Sequence, residues 1–178
     1  MAGADKPPAE LAPFVGKGES LLAFESADLN GDGLRDFVFI VEEAVKASED
    51  AQDDAARTLR IAIRAPDGTL KVVKESSRVV LCRACGGVFG DPFGGLSAAK
   101  NTFSVHHYGG SGWRWSNTYT FNYSKRDATW QLVRVDESSF HASEPEKQKT
   151  RMYRPPRHFG KIDIAEFDPE KFMGVGPK

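Results

Sequence analysis

The clearest hydrophobic recurrence along this chain has a period of two, the signature of strands with one buried face. From Thr58 to Arg64 apolar and polar positions alternate, Asp67-Gly68 supplies a turn, and Leu70 to Glu75 returns, which predicts a hairpin. Asn101 to Tyr108 and Trp113 to Tyr123 flank Gly109-Gly-Ser-Gly112 and predict another, closed by a four-residue loop. Alternation along its return strand puts Trp113, Trp115, Tyr119, Phe121 and Tyr123 on one face and Arg114, Ser116, Thr118 and Thr120 on the other. A further strand, Trp130 to Asp136, follows the turn at Lys125 to Ala128. Nearer the start, Asp36-Phe-Val-Phe-Ile-Val-Glu42 is a continuous apolar run that reads as a buried strand, with Leu21 to Ser26 as its hairpin-like partner.

The other segments lack such periodicity. Residues 1–19, interrupted by Pro7, Pro8, Pro13, Gly16 and Gly18, read as a disordered or loosely packed lead-in. Ala44 to Arg57 is polar and acidic, a solvated loop or short helix, and Val79 to Leu81 is a short apolar run ending at Cys82. Gly86 to Gly95 forms a glycine-rich loop that fits neither strand nor helix geometry, and His141 to His158 is an extended basic connector. Phe159 to Ile164 returns as an edge strand before a C-terminal tail. The expected architecture is mainly β, with a β-rich α+β fold as the alternative. It has about seven antiparallel strands in a curved sheet or partial barrel, a core domain over 20–140, and 141–178 packing on that domain.

Composition adds bounds. At 178 residues, 40% hydrophobic and 28% charged, the chain is sized for one core. A formal net charge of -1 gives no long-range attraction to nucleic acid or an anionic membrane. No run approaches the roughly 20 apolar residues of a membrane-spanning helix. The small, polar, proline-containing stretch Ala2 to Pro13 is typical of the region after a cleaved signal, so the expectation is a periplasmic or secreted protein, or a cytoplasmic one if Met1 is the native start.

The sharpest chemical motif is Asp28-Leu-Asn30-Gly-Asp32-Gly-Leu34-Arg-Asp36, in which oxygen donors recur at alternate positions and Gly33 permits a sharp turn. That is the logic of a calcium loop, with Asp28, Asn30, Asp32, Leu34 and Asp36 as ligands and Ca2+ as the candidate cofactor. An EF-hand is excluded, because its twelfth position is Phe39 and a strand stands where a helix is required. The motif resembles the Asp-rich turn of FG-GAP or VCBS-type repeats, in one copy of about fifteen residues. The alternative is a metal-free turn whose side chains accept backbone N–H groups.

Cys82-Arg-Ala-Cys85 admits a redox, a zinc or a disulfide reading. There is no second pair, strand alternation sends His106 and His107 to opposite faces, and Gly86-Gly87 follows where a thioredoxin-like motif needs a helix, so a structural disulfide is expected. Cys85-Gly-Gly-Val-Phe-Gly-Asp-Pro-Phe93 together with His107-Tyr-Gly-Gly-Ser-Gly-Trp-Arg-Trp115 resembles a family of uncharacterised bacterial exported proteins, which implies an envelope location and no particular reaction. The glycine-rich loops either present a binding surface or wrap a sheet edge and pack Phe89 and Phe93 into the core. In the first case Asp91, Phe93, His107, Tyr108, Trp113 and Arg114 are the expected partner-binding residues.

No nucleophile elbow, phosphate loop or metal tetrad is recognisable, and nothing in the sequence brings His107, Ser111 and Asp91 together as a triad. The expected function is therefore non-enzymatic protein binding, most concretely an inhibitor or immunity protein that neutralises a secreted bacterial toxin. A calcium-stabilised envelope structural or adhesion module and a cryptic hydrolase are the alternatives.

Overall fold

The computed structural model describes residues 6–44 and 55–172. The described residues form two antiparallel sheets. The first contains β1 (Glu19–Ala27), β2 (Asp36–Glu43), β3 (Arg57–Arg64) and β4 (Leu70–Ser76) in sequence order. The second contains β5 (Phe93–Ala99), β6 (Thr102–Gly110), β7 (Trp113–Ser124), β8 (Thr129–His141) and β9 (Lys149–Tyr153), also in order. A one-turn helix α1 (Pro169–Phe172) follows. The mainly β expectation holds, with nine described strands in two packed sheets in place of about seven in one curved sheet or partial barrel.

The sheets share one core. Val38, Ile40, Leu59 and Ile61 from the first meet Phe103, Val105, Tyr119, Phe121, Leu132 and Val135 from the second, and Ile164, Phe167 and Phe172 from the C-terminal segment complete it. The unbroken apolar run of β2 is explained by burial on both faces: Val38 and Ile40 enter this core, while Phe37, Phe39 and Val41 enter a second cluster on the far side of the first sheet. That cluster needs a cover. A 3-10 helix at Ala9–Phe14 supplies it, with Leu11 buried and Phe14 and Val15 packed beside it. The lead-in expectation is corrected accordingly from Ala9 onward, because the outer face of β2 and β3 is too apolar to face water.

Other boundaries also move. Gly109 and Gly110 pair with Trp115 and Arg114, so the β6–β7 hairpin turns on two residues instead of four. Gly94 and Gly95 lie within β5, at a bulge, so the glycine-rich stretch is partly strand. The connector expected over His141 to His158 contains β9, paired with β8 from Val135–Tyr153 to Ser139–Lys149. The edge strand expected at Phe159 to Ile164 is reduced to a bridge between Gln131 and Asp163. Most of the Ala44 to Arg57 segment and the end of the C-terminal tail lie outside the described residues.

Two strands outgrow the core. β7 and β8 have 12 and 13 residues, against 7 to 9 in the strands of the first sheet. At about 3.4 Å per residue they overhang by roughly 10 Å or more, and the face that is core at one end continues past its cover at the other.

Candidate functional site

Strand register lays out that uncovered face in rows. Val105, Tyr119, Val135 and Tyr153 form one row across β6 to β9, and all four are buried. One step toward the β7 start lie His107, Asn117, Glu137 and Arg151; the next row is Gly109, Trp115, Ser139 and Lys149; Trp113 and His141 stand beyond. Above the last three rows is a cleft of about 690 Å³, with Leu81 and Cys85 in one wall and Pro169 and Glu170 of α1 in another. Buried Tyr119 and Pro169 mark its closed end, whereas exposed Trp113, Lys149 and Arg151 mark its open sides.

The floor is graded across the strands. β7 contributes indole, β8 contributes Glu137 and Ser139, and the edge strand β9 contributes two cations. Burial raises the Glu137 carboxyl above its usual range, opposed by the nearby Tyr153 hydroxyl and by the charge of Arg151. Burial likewise pushes the Tyr119 phenol up to about 12, opposed by Asn117. Gly109 is required beneath Trp115, because a Cβ there would stand 2.6 Å from the indole Cζ2 and 2.9 Å from the Gly86 carbonyl oxygen.

The disulfide loop forming one wall is fixed from behind. Cys82 and Cys85 stand at bonding distance, 2.06 Å, as expected. The Leu81 N–H donates to His107 Nε2 at 3.2 Å, and the Leu81 carbonyl accepts from Arg57 Nη1 at 3.0 Å. Arg57, whose side chain is fully buried, also grips Asp91 through both terminal nitrogens and donates from Nε to Glu42. Glu42 additionally holds Arg83. Desolvation opposes ionisation of Glu42, but Arg83 and Arg57 hold its carboxyl below the ordinary range; for Asp91 the Arg57 bonds do so chiefly.

Comparison with protein-family models, with curated proteins and with solved structures finds no match. The site must be judged on its own chemistry.

Of the residues expected to bind a partner, only Trp113 lines the cleft. Asp91 is committed to Arg57, and Phe93 packs against the core. His107 is fully buried with its pKa lowered to about 4, mainly by desolvation. Tyr108 and Arg114 lie on the opposite face, where Phe89 meets the Tyr108 ring edge-on and the Arg114 guanidinium lies over the Phe89 ring, 3.9 Å from its centre. Phe89 is thus outside, whereas Phe93 is inside. His107 meets Asp91 only indirectly, through the Leu81 backbone and Arg57, so the residues named for a triad do not assemble as one.

The Asp-rich loop folds as a tight turn whose side chains accept backbone N–H groups. Carboxylate oxygens of Asp28, Asp32 and Asp36 lie within 4.8 Å of one another. Asp28 accepts the N–H groups of Gly31 and Gly33, Asp32 that of Leu34, and Asp36 those of Leu29 and Arg64. Asn30 accepts from the Asp32 N–H and donates to its carboxylate. Burial raises the Asp36 pKa; its bonds to Arg64 and Leu29 oppose this, and the charges of Asp32 and Asp28 add to it. Leu29, wholly buried, presents its carbonyl to Trp130 Nε1 at 3.0 Å, which ties the loop to the second sheet. Hard oxygen donors at this separation fit a Ca2+ ion with bonds of about 2.4 Å.

Proposed function

We propose that this protein is a non-enzymatic binding module whose ligand seats in the cleft over β7, β8 and β9. The observation that carries this reading is the overhang of the second sheet: a core face deprived of its cover, yet furnished with hydrogen-bonding and charged groups in place of the aliphatic side chains of a failed core. A pocket of this size with an aromatic floor and few convergent polar groups has the usual make-up of a small-ligand site. An inhibitor that plugs a toxin's active site inserts a protruding element, so a concave site favours a receptor over a plug. The disulfide pair supports an oxidising compartment such as the bacterial periplasm.

The test is to fill the cleft. Ser139 lies at its centre, and Ser139→Trp blocks it without touching the core. A panel of saccharides, short peptides and aromatic anions is screened by tryptophan fluorescence against both proteins. At least one class binds the native protein and loses affinity in the blocked variant; a panel that never distinguishes the two refutes the reading, and turnover of a bound ligand refutes its non-enzymatic part.

A second reading concerns the Asp-rich loop, favoured by three carboxylates whose oxygens lie within 4.8 Å of one another. Ca2+ would be held by Asp28, Asp32 and Asp36, with Asn30 and the Leu34 carbonyl as neighbouring oxygens, and would neutralise their repulsion. Its contribution is mechanical, since the loop clasps the two sheets together.

A further inference from the structure

The charged and aromatic columns of the cleft specify more than a generic ligand. Trp113 and Trp115 occupy alternate positions of one strand and so offer indole surfaces roughly 7 Å apart along β7. Lys149 and Arg151 stand two strands away, at roughly 10 Å. Both cations are exposed; Arg151 stands opposite Glu137 in the strand register and its charge acts on that carboxyl, but neither cation forms a close salt bridge among the described residues. Asn117 continues the β7 column, and Ser139 and Glu137 of β8 lie between the columns; Asn117 and Ser139 each offer a donor and an acceptor, and Glu137 offers an acceptor. The ligand therefore has a ring with an apolar face, several groups that both donate and accept, and an anionic group about 10 Å from the ring.

We propose that the cleft binds an acidic oligosaccharide, with pyranose rings stacked on Trp115 and Trp113 and the carboxylate of a further ring of the chain meeting Lys149 and Arg151. This rests on the binding-module reading and names its ligand. Hydroxyl groups are the chemistry that Asn117, Ser139 and Glu137 jointly satisfy. A polyphosphate is disfavoured because it has no apolar ring face to set against Trp113 and Trp115. An extended peptide would pair with the free edge of β9 and leave the indole column unused. A saccharide chain can enter past Trp113, the most exposed large aromatic residue, which is 61% accessible.

The experiment is calorimetric titration of the full chain with three probes: a trimer of (1→4)-linked galacturonate, the corresponding neutral galactose trimer, and a tripeptide with a free C-terminal carboxylate. The uronate is expected to bind at least about tenfold more tightly than the neutral trimer, as two charge-assisted contacts allow. Trp115→Ala weakens it about tenfold or more, whereas Trp115→Phe, which keeps an aromatic face, stays within about threefold. The double variant Lys149→Gln, Arg151→Gln equalises the two trimers and removes the salt dependence. Unchanged urea midpoints establish that these variants fold. Equal affinity for both trimers, binding of the tripeptide alone, or no saccharide binding overturns the proposal. The cleft-filling panel then decides separately whether another ligand uses the site.

Discussion

Arg57→Met tests how the cleft wall is held. Methionine keeps much of the aliphatic stem but removes the Nε bond to Glu42 at 2.7 Å, the two bonds to Asp91 at 2.7 and 2.6 Å, and the bond to the Leu81 carbonyl at 3.0 Å. It leaves Glu42, whose side chain is 6% exposed, with Arg83 as its remaining cation among the described residues. Removing one partner of a buried charge cluster costs about 3 to 5 kcal/mol. With a urea m-value of about 2 kcal/mol/M, the midpoint falls by about 2 M. Asp91→Asn should cost only about 1 kcal/mol, because the Asp91 side chain is 40% exposed and solvent screens its pair. The sign with pH follows from the depressed carboxyls of Glu42 and Asp91, whose ordinary values are 4.5 and 3.8. Their stabilisation is complete above those values and is lost as pH falls below about 4, so the deficit of the variant narrows near pH 3. A loss under about 1 kcal/mol at neutral pH, or a deficit that stays constant on acidification, would refute the account of Arg57 as the anchor of the disulfide wall.

Other consequences are equally direct. His107, at about 4 in the fold and about 6.5 unfolded, contributes stability that is fully present above pH 6.5 and lost as pH falls toward 4; the loss is about 3 kcal/mol, and His107→Gln should flatten that part of the curve. If the Asp-rich loop holds calcium, saturating Ca2+ at about a hundredfold over Kd raises stability by about 2.7 kcal/mol, and Asp32→Ala abolishes the rise; an unchanged Tm in the native protein contradicts the calcium reading. Gly109→Ala should displace the Trp115 indole, costing about 1 to 3 kcal/mol and changing its fluorescence without altering that of buried Trp130. Reducing Cys82–Cys85 should cost about 2 kcal/mol by loop entropy and loosen the wall containing Leu81, a change visible as faster amide exchange there.

Much of the fold was legible because hairpins are local. Asp67-Gly68 and the alternation on either side of it are sufficient to specify β3 and β4, and the continuous run in β2 announces burial on two faces. The turn geometry of Asp28 to Asp36 follows from spacing in the same way, whereas the Cys82–Cys85 disulfide was reached by eliminating the zinc and redox readings that its spacing equally allows. The cleft was not legible, since it arises from a difference in strand length between two sheets formed from separate stretches of the chain. Its polar residues also sit where β propensity is weak: Glu137 and Ser139 extend β8 beyond Asp136, where the apolar pattern ends, and Lys149 and Arg151 lie in a strand that reads as a basic connector. Thr150, Met152 and Tyr153 interleaved with those cations were the available signal. His107 and Arg114 attracted notice for their side-chain chemistry, yet alternation alone separates them, since one points into the core and the other lies across Phe89 on the opposite surface.

The central claim is that ligand occupies the overhanging face of β7 to β9. Indole 15N–1H resonances test it most directly, because the three tryptophans stand in different places: Trp113 and Trp115 in the cleft, and Trp130 buried with its Nε1–H on the Leu29 carbonyl. On addition of a uronate trimer, the account predicts that the Trp113 and Trp115 signals shift with saturable dependence on concentration while Trp130 stays fixed. Binding that leaves both cleft indoles unmoved would contradict it.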